Sequence, residues 1–311
     1  DSTEFLLDRC FVKGAFYRKL IGLSRRWGPW AFELGARGIA AGYFGLFPSR
    51  VAASVRFYRA AFADRGSLFH IRTAWRQFQN FTTVYLDRFL LQETGDMRYS
   101  FSGWELLEQA ADQGSGGILL MSHQGNWEVA AALMMQRRPD LKILLYMGMD
   151  EKETIEKIHR KDAAGTGVRV LAVGKDGGSP FDIIEGIRFI REGGLVALTG
   201  DRLWRSDQRA VSASFFGHRV RLPEAPYLFA LLAEAPLFVF FPPRGAPRRY
   251  HFRIADVVDL PPASKRRRPA VIRAAAQRYA DLLAEEVRRH PSQWYQFGPF
   301  LGPSLKRSDS L

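Results

Sequence analysis

The sequence predicts an α/β fold, a sheet with helices on its faces, and two textures in the chain predict it. From residue 117 onward, short apolar runs alternate with helical stretches. Before residue 113, apolar positions recur at three- and four-residue spacing, notably in 50–64 and 67–92, which reads as almost entirely helical. The expected strands are Gly117–Met121, Lys142–Tyr146, Val168–Val173, Leu195–Thr199 and Pro236–Phe241. Helices are expected over 126–138, 180–192, 223–234 and 268–289, with Gly193 and Gly194 stopping the second. Trp75, Phe78, Phe81, Tyr85, Phe89 and Leu90 form a stripe suited to core packing. These textures divide the chain into a helical N-terminal region (1–112), an α/β core (113–303) and a polar, flexible tail (304–311).

Lys and Arg exceed Asp and Glu by 45 to 32, a net charge of +13 that attracts polyanions: nucleic acid, an anionic bilayer leaflet or an acidic carrier protein. Arginines mixed with Trp, Phe and Leu in the N-terminal third favour the bilayer surface, and dispersed arginines without a recognition motif argue against nucleic acid. The segment from Trp27 to Pro48 is apolar but carries Glu33, Arg37 and several glycines, so it suits an interfacial segment better than a membrane span. A first residue of Asp1 leaves room for a leader, anchor or further domain ahead of it. Cys10 is the one cysteine, which excludes an intramolecular disulfide and a cysteine-rich zinc site. No tight histidine spacing suggests a metal.

The most informative stretch is Leu119-Leu-Met-Ser-His-Gln-Gly-Asn-Trp-Glu128. It runs strand, polar turn, helix, which puts His123 at a strand's carboxyl end, where ligands bind in open α/β sheets, and Glu128 in the first turns of the helix. Gly125 permits the turn that would let the two side chains meet. A carboxylate on one ring nitrogen would leave the other free to accept a proton, making an oriented general base. Ser122 should point to the opposite side of its strand and is a poor nucleophile candidate. Asp201 ends another expected strand and could face the same cleft, or simply cap a turn.

The ten-residue string resembles the His-x4-Asp/Glu box of the lysophospholipid-acyltransferase superfamily, in the version of the bacterial lipid A lauroyl and myristoyl transferases. Further stretches are similar to that family in the same order: Gly194–Arg202, Phe215-Phe-Gly217 with Leu222-Pro223, Ala235-Pro236 with the run after it, and Pro291-Ser-Gln-Trp-Tyr295. Arg202 stands where the lipid A enzymes have glutamine, and no basic residue follows the last box closely, which points to a divergent branch. The resemblance implies a mixed central sheet flanked by helices, glycerol-3-phosphate-acyltransferase-like, with a membrane-associating N-terminal region on the cytoplasmic face of the bacterial inner membrane. It implies acyl transfer from a thioester, with acyl carrier protein favoured over coenzyme A, to a hydroxyl or amine of a lipid or glycolipid, without cofactor or metal. It makes His123 the base and Glu128 its partner. Asn126 is expected first to shape the turn and the helix packing; Asn126, Asp201 and Arg202 are also candidates for substrate binding, Arg202 through a phosphate or other anion, and the Gly125 amide a candidate oxyanion donor. The competing expectations are a non-catalytic lipid-binding or tethering protein and an acyltransferase with a soluble acceptor.

Overall fold

Two-sided burial explains the continuous apolar runs: a strand covered by helices on both faces has no polar face to show. The computed structural model of the chain describes residues 15–148, 168–173, 180–203, 205 and 207–305. Four helices come first, α1 (Ala15–Trp27), α2 (Pro29–Leu46), α3 (Pro48–Ala61) and α4 (Ser67–Thr94). Strand β1 (Arg98–Ser102), helix α5 (Trp104–Asp112), β2 (Gly117–Met121), α6 (Trp127–Arg137), β3 (Ile143–Gly148) and β4 (Val168–Val173) follow. Then come α7 (Pro180–Arg191), β5 (Leu195–Thr199), β6 (Ala210–Phe215), β7 (His218–Pro223) and α8 (Ala225–Ala233). The chain continues through β8 (Leu237–Phe241), β9 (Arg244–Ala246), β10 (Arg249–Val258), α9 (Arg268–Arg289) and a 3₁₀ turn, Pro291–Gln293.

The sheet is mixed, in the order β1-β10-β8-β2-β5-β3-β4, with β9 also paired to β10. β8, β2, β5, β3 and β4 run parallel, β10 is antiparallel to β8, and β1 is parallel to β10. Alternation sorts side chains to two cores: Ile118, Leu120, Val196 and Leu198 face α8 and α9, while Leu119, Met121 and Ala197 face α6 and the aromatic residues of α2 and α4. Helix α9 shows the corresponding stripe, with Ile272, Ala276, Tyr279, Leu283 and Val287 buried.

Helix α4, at 28 residues, is the longest described element and the scaffold of the N-terminal part. Its aromatic stripe packs on α2, where Phe32 stacks on Phe89 at 5.7 Å and Phe44 meets Phe78 edge-on at 5.4 Å. Arg25 of α1 forms a 2.6 Å ion pair with Glu93 near the far end of α4. Among the described residues no helix is long and apolar enough to cross a membrane.

Strands β1, β6, β7, β9 and β10 are not among the elements expected from the sequence. Residues 98–102 are a strand, not the end of a helical region: Gly95 adopts φ +65° and ends α4, and β1 then pairs with β10. Residues 210–223 form a separate hairpin whose two turn residues, Phe216 and Gly217, have φ of 48° and 72°. The turn chemistry there is carried by Gly217, and a bulky Phe216 disguises it. Residues 1–14, most of 149–179 and the polar end from 306 lie outside the described residues.

Candidate active site

Strand register builds the site. β2 and β5 are neighbours paired in parallel, Met121 opposite Thr199, so the residues two positions beyond each strand end, His123 and Asp201, emerge side by side. The Gly200 amide donates to the Met121 carbonyl at 2.9 Å and continues the pairing through the bend. A Cβ on Gly200 would stand 2.7 Å from Leu120 and 3.0 Å from the Tyr279 ring, so a side chain there would collide with the core.

Asp201 is fully buried and accepts three hydrogen bonds. One oxygen meets His123 Nδ1 at 2.8 Å; the other takes the His123 backbone N–H at 2.8 Å and the Trp294 indole N–H at 2.8 Å. Burial is the largest single influence and pushes its carboxyl up, but the His123 imidazole, its hydrogen bonds and the nearby Arg202 charge outweigh it and hold the group down to about 2. Asp201 is therefore an ionised acceptor, and Nδ1 is the His123 nitrogen that faces it, with Nε2 on the far side of the ring from that contact. The imidazole is 18 % exposed, so the pair opens to solvent only through the histidine.

The turn after His123 is stitched to the C-terminal chain. Tyr295 N–H donates to the His123 carbonyl at 2.9 Å and Gly125 N–H donates to the Gln293 carbonyl at 3.0 Å. Gln293 in turn brackets Arg244, donating to its carbonyl at 2.7 Å and accepting its N–H at 2.8 Å. Gly125 has φ +69°, and a Cβ would fall 1.9 Å from the Pro242 carbonyl oxygen, so only glycine fits. Asn126 is the N-cap of α6, accepting Val129 N–H at 3.2 Å, while its amide donates to the Val84 carbonyl of α4 at 3.2 Å.

Behind this turn lies a buried polar cluster. Asp87 of α4, fully buried, receives both Nε (2.6 Å) and Nη2 (3.2 Å) of Arg244 and the Tyr250 hydroxyl (2.6 Å). Burial pulls the Arg244 guanidinium down, and the Asp87 carboxylate more than offsets it. Next to Asp87, Arg88 forms an ion pair with Glu128, both side chains largely buried.

These positions correct several expectations. Glu128 does not orient His123: the carboxylate on Nδ1 is that of Asp201, because strand pairing delivers it there, while Glu128 points to Arg88. The Gly125 amide is not an open oxyanion donor, being engaged by Gln293. Asn126 is 2 % exposed and spent on capping and on α4, so the structure keeps its expected turn-shaping role and not the substrate-binding one. Arg202 extends along the C-terminal chain, donating to the Tyr295 carbonyl at 2.9 Å and to Gln296 Oε1 at 3.2 Å. Ser122 is buried, away from the open side.

The His123 turn, the two strand ends and the C-terminal segment fall inside one sequence profile, that of the family described as bacterial lipid A biosynthesis acyltransferase, which matches residues 71–300. The chain belongs to that family. Among curated proteins, this family member is similar to the phosphatidylinositol mannoside acyltransferase of Mycobacterium tuberculosis, 25 % identical over 201 residues, 63 % of this chain and 58 % of the relative. It is also similar to the protein of that name from Mycolicibacterium smegmatis, 24 % identical over 197 residues, 62 % of this chain and 59 % of the relative. The matches thus span under two thirds of these relatives' length.

Sequence reasoning missed Arg88, Asp87 and Arg244 as parts of the candidate site. One signal was available: Asp87 and Arg88 interrupt an apolar stretch of helix between Leu86 and Phe89, and charges inside a core-facing segment need partners.

Proposed function

We propose that this chain moves a fatty acyl group from a thioester to a hydroxyl of a glycolipid, with His123 as general base and Asp201 as its orienting carboxylate. The observation that carries the reading is an imidazole whose Nδ1 faces a buried, ionised aspartate at the carboxyl ends of two adjacent strands. In the reaction, Nε2 takes the proton from the acceptor hydroxyl as its oxygen attacks the thioester carbonyl carbon. Collapse of the tetrahedral intermediate breaks the carbon–sulfur bond, the imidazolium returns the proton to the departing thiolate, and the products are an ester and a free thiol. Asp201 stabilises the imidazolium in between and stays ionised. A glycolipid acceptor is favoured because the similar curated proteins are named for one.

An acidic acyl carrier protein is the donor that suits a net charge of +13, with coenzyme A thioester as the other source of the same chemistry. The working place would be an anionic membrane surface at the cytoplasmic face of the inner membrane. Trp27 at the end of α1 and Trp30 and Leu34 in the first turns of α2 are more than half exposed, beside Arg26, the composition of an interfacial segment.

The test incubates purified protein with acyl carrier protein or coenzyme A thioesters and mannosylated phosphatidylinositol, following free thiol and acylated lipid together. Thiol release matched by lipid product, absent in His123→Ala, is the expected result. Equal product with folded His123→Ala would refute the assignment.

A further inference from the structure

The site contains two carboxylates beside the same turn, and only one of them touches the imidazole. Asp201 accounts for the orientation and charge of His123. Glu128, in the first turn of α6, faces Arg88 of α4, which engages its Oε2, and the two side chains are 17 % and 11 % exposed. The Arg88 guanidinium also lies 5.6 Å from the centre of the Tyr85 ring. A pair this far from water forfeits much of its hydration, and apolar residues of the same shape would usually be as stable.

The geometry around this pair is fixed. Val84, one turn before Arg88 on α4, receives the Asn126 amide, so α4 is tied to the N-terminus of α6 at two successive turns. A charged carboxylate only accepts hydrogen bonds. Arg88 engages Glu128 Oε2, and the Glu128 side chain keeps 17 % exposure five residues after His123 while taking no part in the His123–Asp201 contact. A hydroxyl-bearing acceptor has the matching donor only if it carries a second hydroxyl near the one that is acylated.

We propose that Arg88 is a positioning residue that holds Glu128 as the receptor for a second hydroxyl of the acceptor, so that the enzyme selects polyol headgroups such as sugars over simple alcohols. The inference rests on the acyl-transfer reading and deepens it. It assigns Glu128 to acceptor recognition and leaves base orientation to Asp201.

The test is a selectivity ratio. Wild type, Glu128→Gln, Arg88→Met and Arg88→Lys are each given palmitoyl coenzyme A with an alkyl mannoside, its monodeoxy analogues or an alkanol of matched length. Wild type is expected to favour the mannoside over one particular deoxy analogue by about 10- to 100-fold in kcat/KM, the range for a hydrogen bond to a charged group. Glu128→Gln and Arg88→Met should reduce that preference to a few-fold, and Arg88→Lys should restore part of it. If Arg88→Met does not fold, the isosteric Glu128→Gln carries the comparison. Folded Glu128→Gln with the wild-type preference would overturn the proposal while leaving acyl transfer intact. Failure of wild type to release thiol with any acceptor would instead overturn the acyl-transfer reading, and this inference with it.

Discussion

The floor and the wall of the site are built by different physics. The floor is two neighbouring strand ends, β2 and β5, whose register places His123 against Asp201, and both carboxylate oxygens of that aspartate are satisfied within the fold. The wall is the α4 face, where Asp87 and Arg88 reach across to Arg244, Tyr250 and Glu128 over long sequence separations. The floor depends on strand register to bring His123 and Asp201 together, and on side-chain bonds, that of Trp294 included, to hold the carboxylate. The wall depends on charges buried with partners, so it is stable only as a set.

The comparison is sharpened most by substitution on the floor. His123→Ala and Asp201→Asn should each lower kcat by about 10³–10⁴-fold, and the double variant should lose little more, since the two act as one unit. Steady-state kinetics checks this, and additive losses would break the claim of a single unit. Next in size is the joint between floor and wall. Gly125→Ala puts a Cβ 1.9 Å from the Pro242 oxygen at φ +69°, and a loss of about 3 kcal/mol or more in denaturant unfolding is expected, with Gly217→Ala, which meets nothing within 4 Å, costing much less.

The floor was largely legible in the sequence and the wall was not. His123 and its strand, turn and helix sit in one short stretch, and Asp201 ends a run whose strand character is plain, so both strand ends could be marked in advance. The partner of His123 could not be, because Glu128 is near in sequence whereas Asp201 is near only through β2–β5 pairing, which no local pattern encodes. The bonds from Trp294, Gln293 and Tyr295 to this turn depend on the same kind of distant return of the chain. Strand β1 was hidden because its alternation of Tyr99 and Phe101 is short and follows a long helical pattern.

Acid should separate the two regions more gently. The Asp201 carboxyl is held down to about 2, below its ordinary value of 3.8, so its contribution is complete above pH 4 and is lost as pH falls toward 2. That amounts to about 2 kcal/mol, and Asp201→Asn should flatten this part of the stability–pH curve in chemical unfolding. Smallest is the effect expected at the outer face of α1 and α2. Replacing Trp27 and Trp30 together by Ala should weaken binding to anionic vesicles by about 10-fold in co-sedimentation and leave the melting temperature nearly unchanged, because both side chains are exposed.

The central claim is that Asp201, and not Glu128, sets the state of the His123 imidazole. Nitrogen-15 NMR of histidine-labelled protein reads that state directly at neutral pH. The account predicts an Nδ1–H tautomer for His123 in the wild type and in Glu128→Gln, lost or reversed in Asp201→Asn. An unchanged tautomer in folded Asp201→Asn, with a changed one in Glu128→Gln, would contradict it.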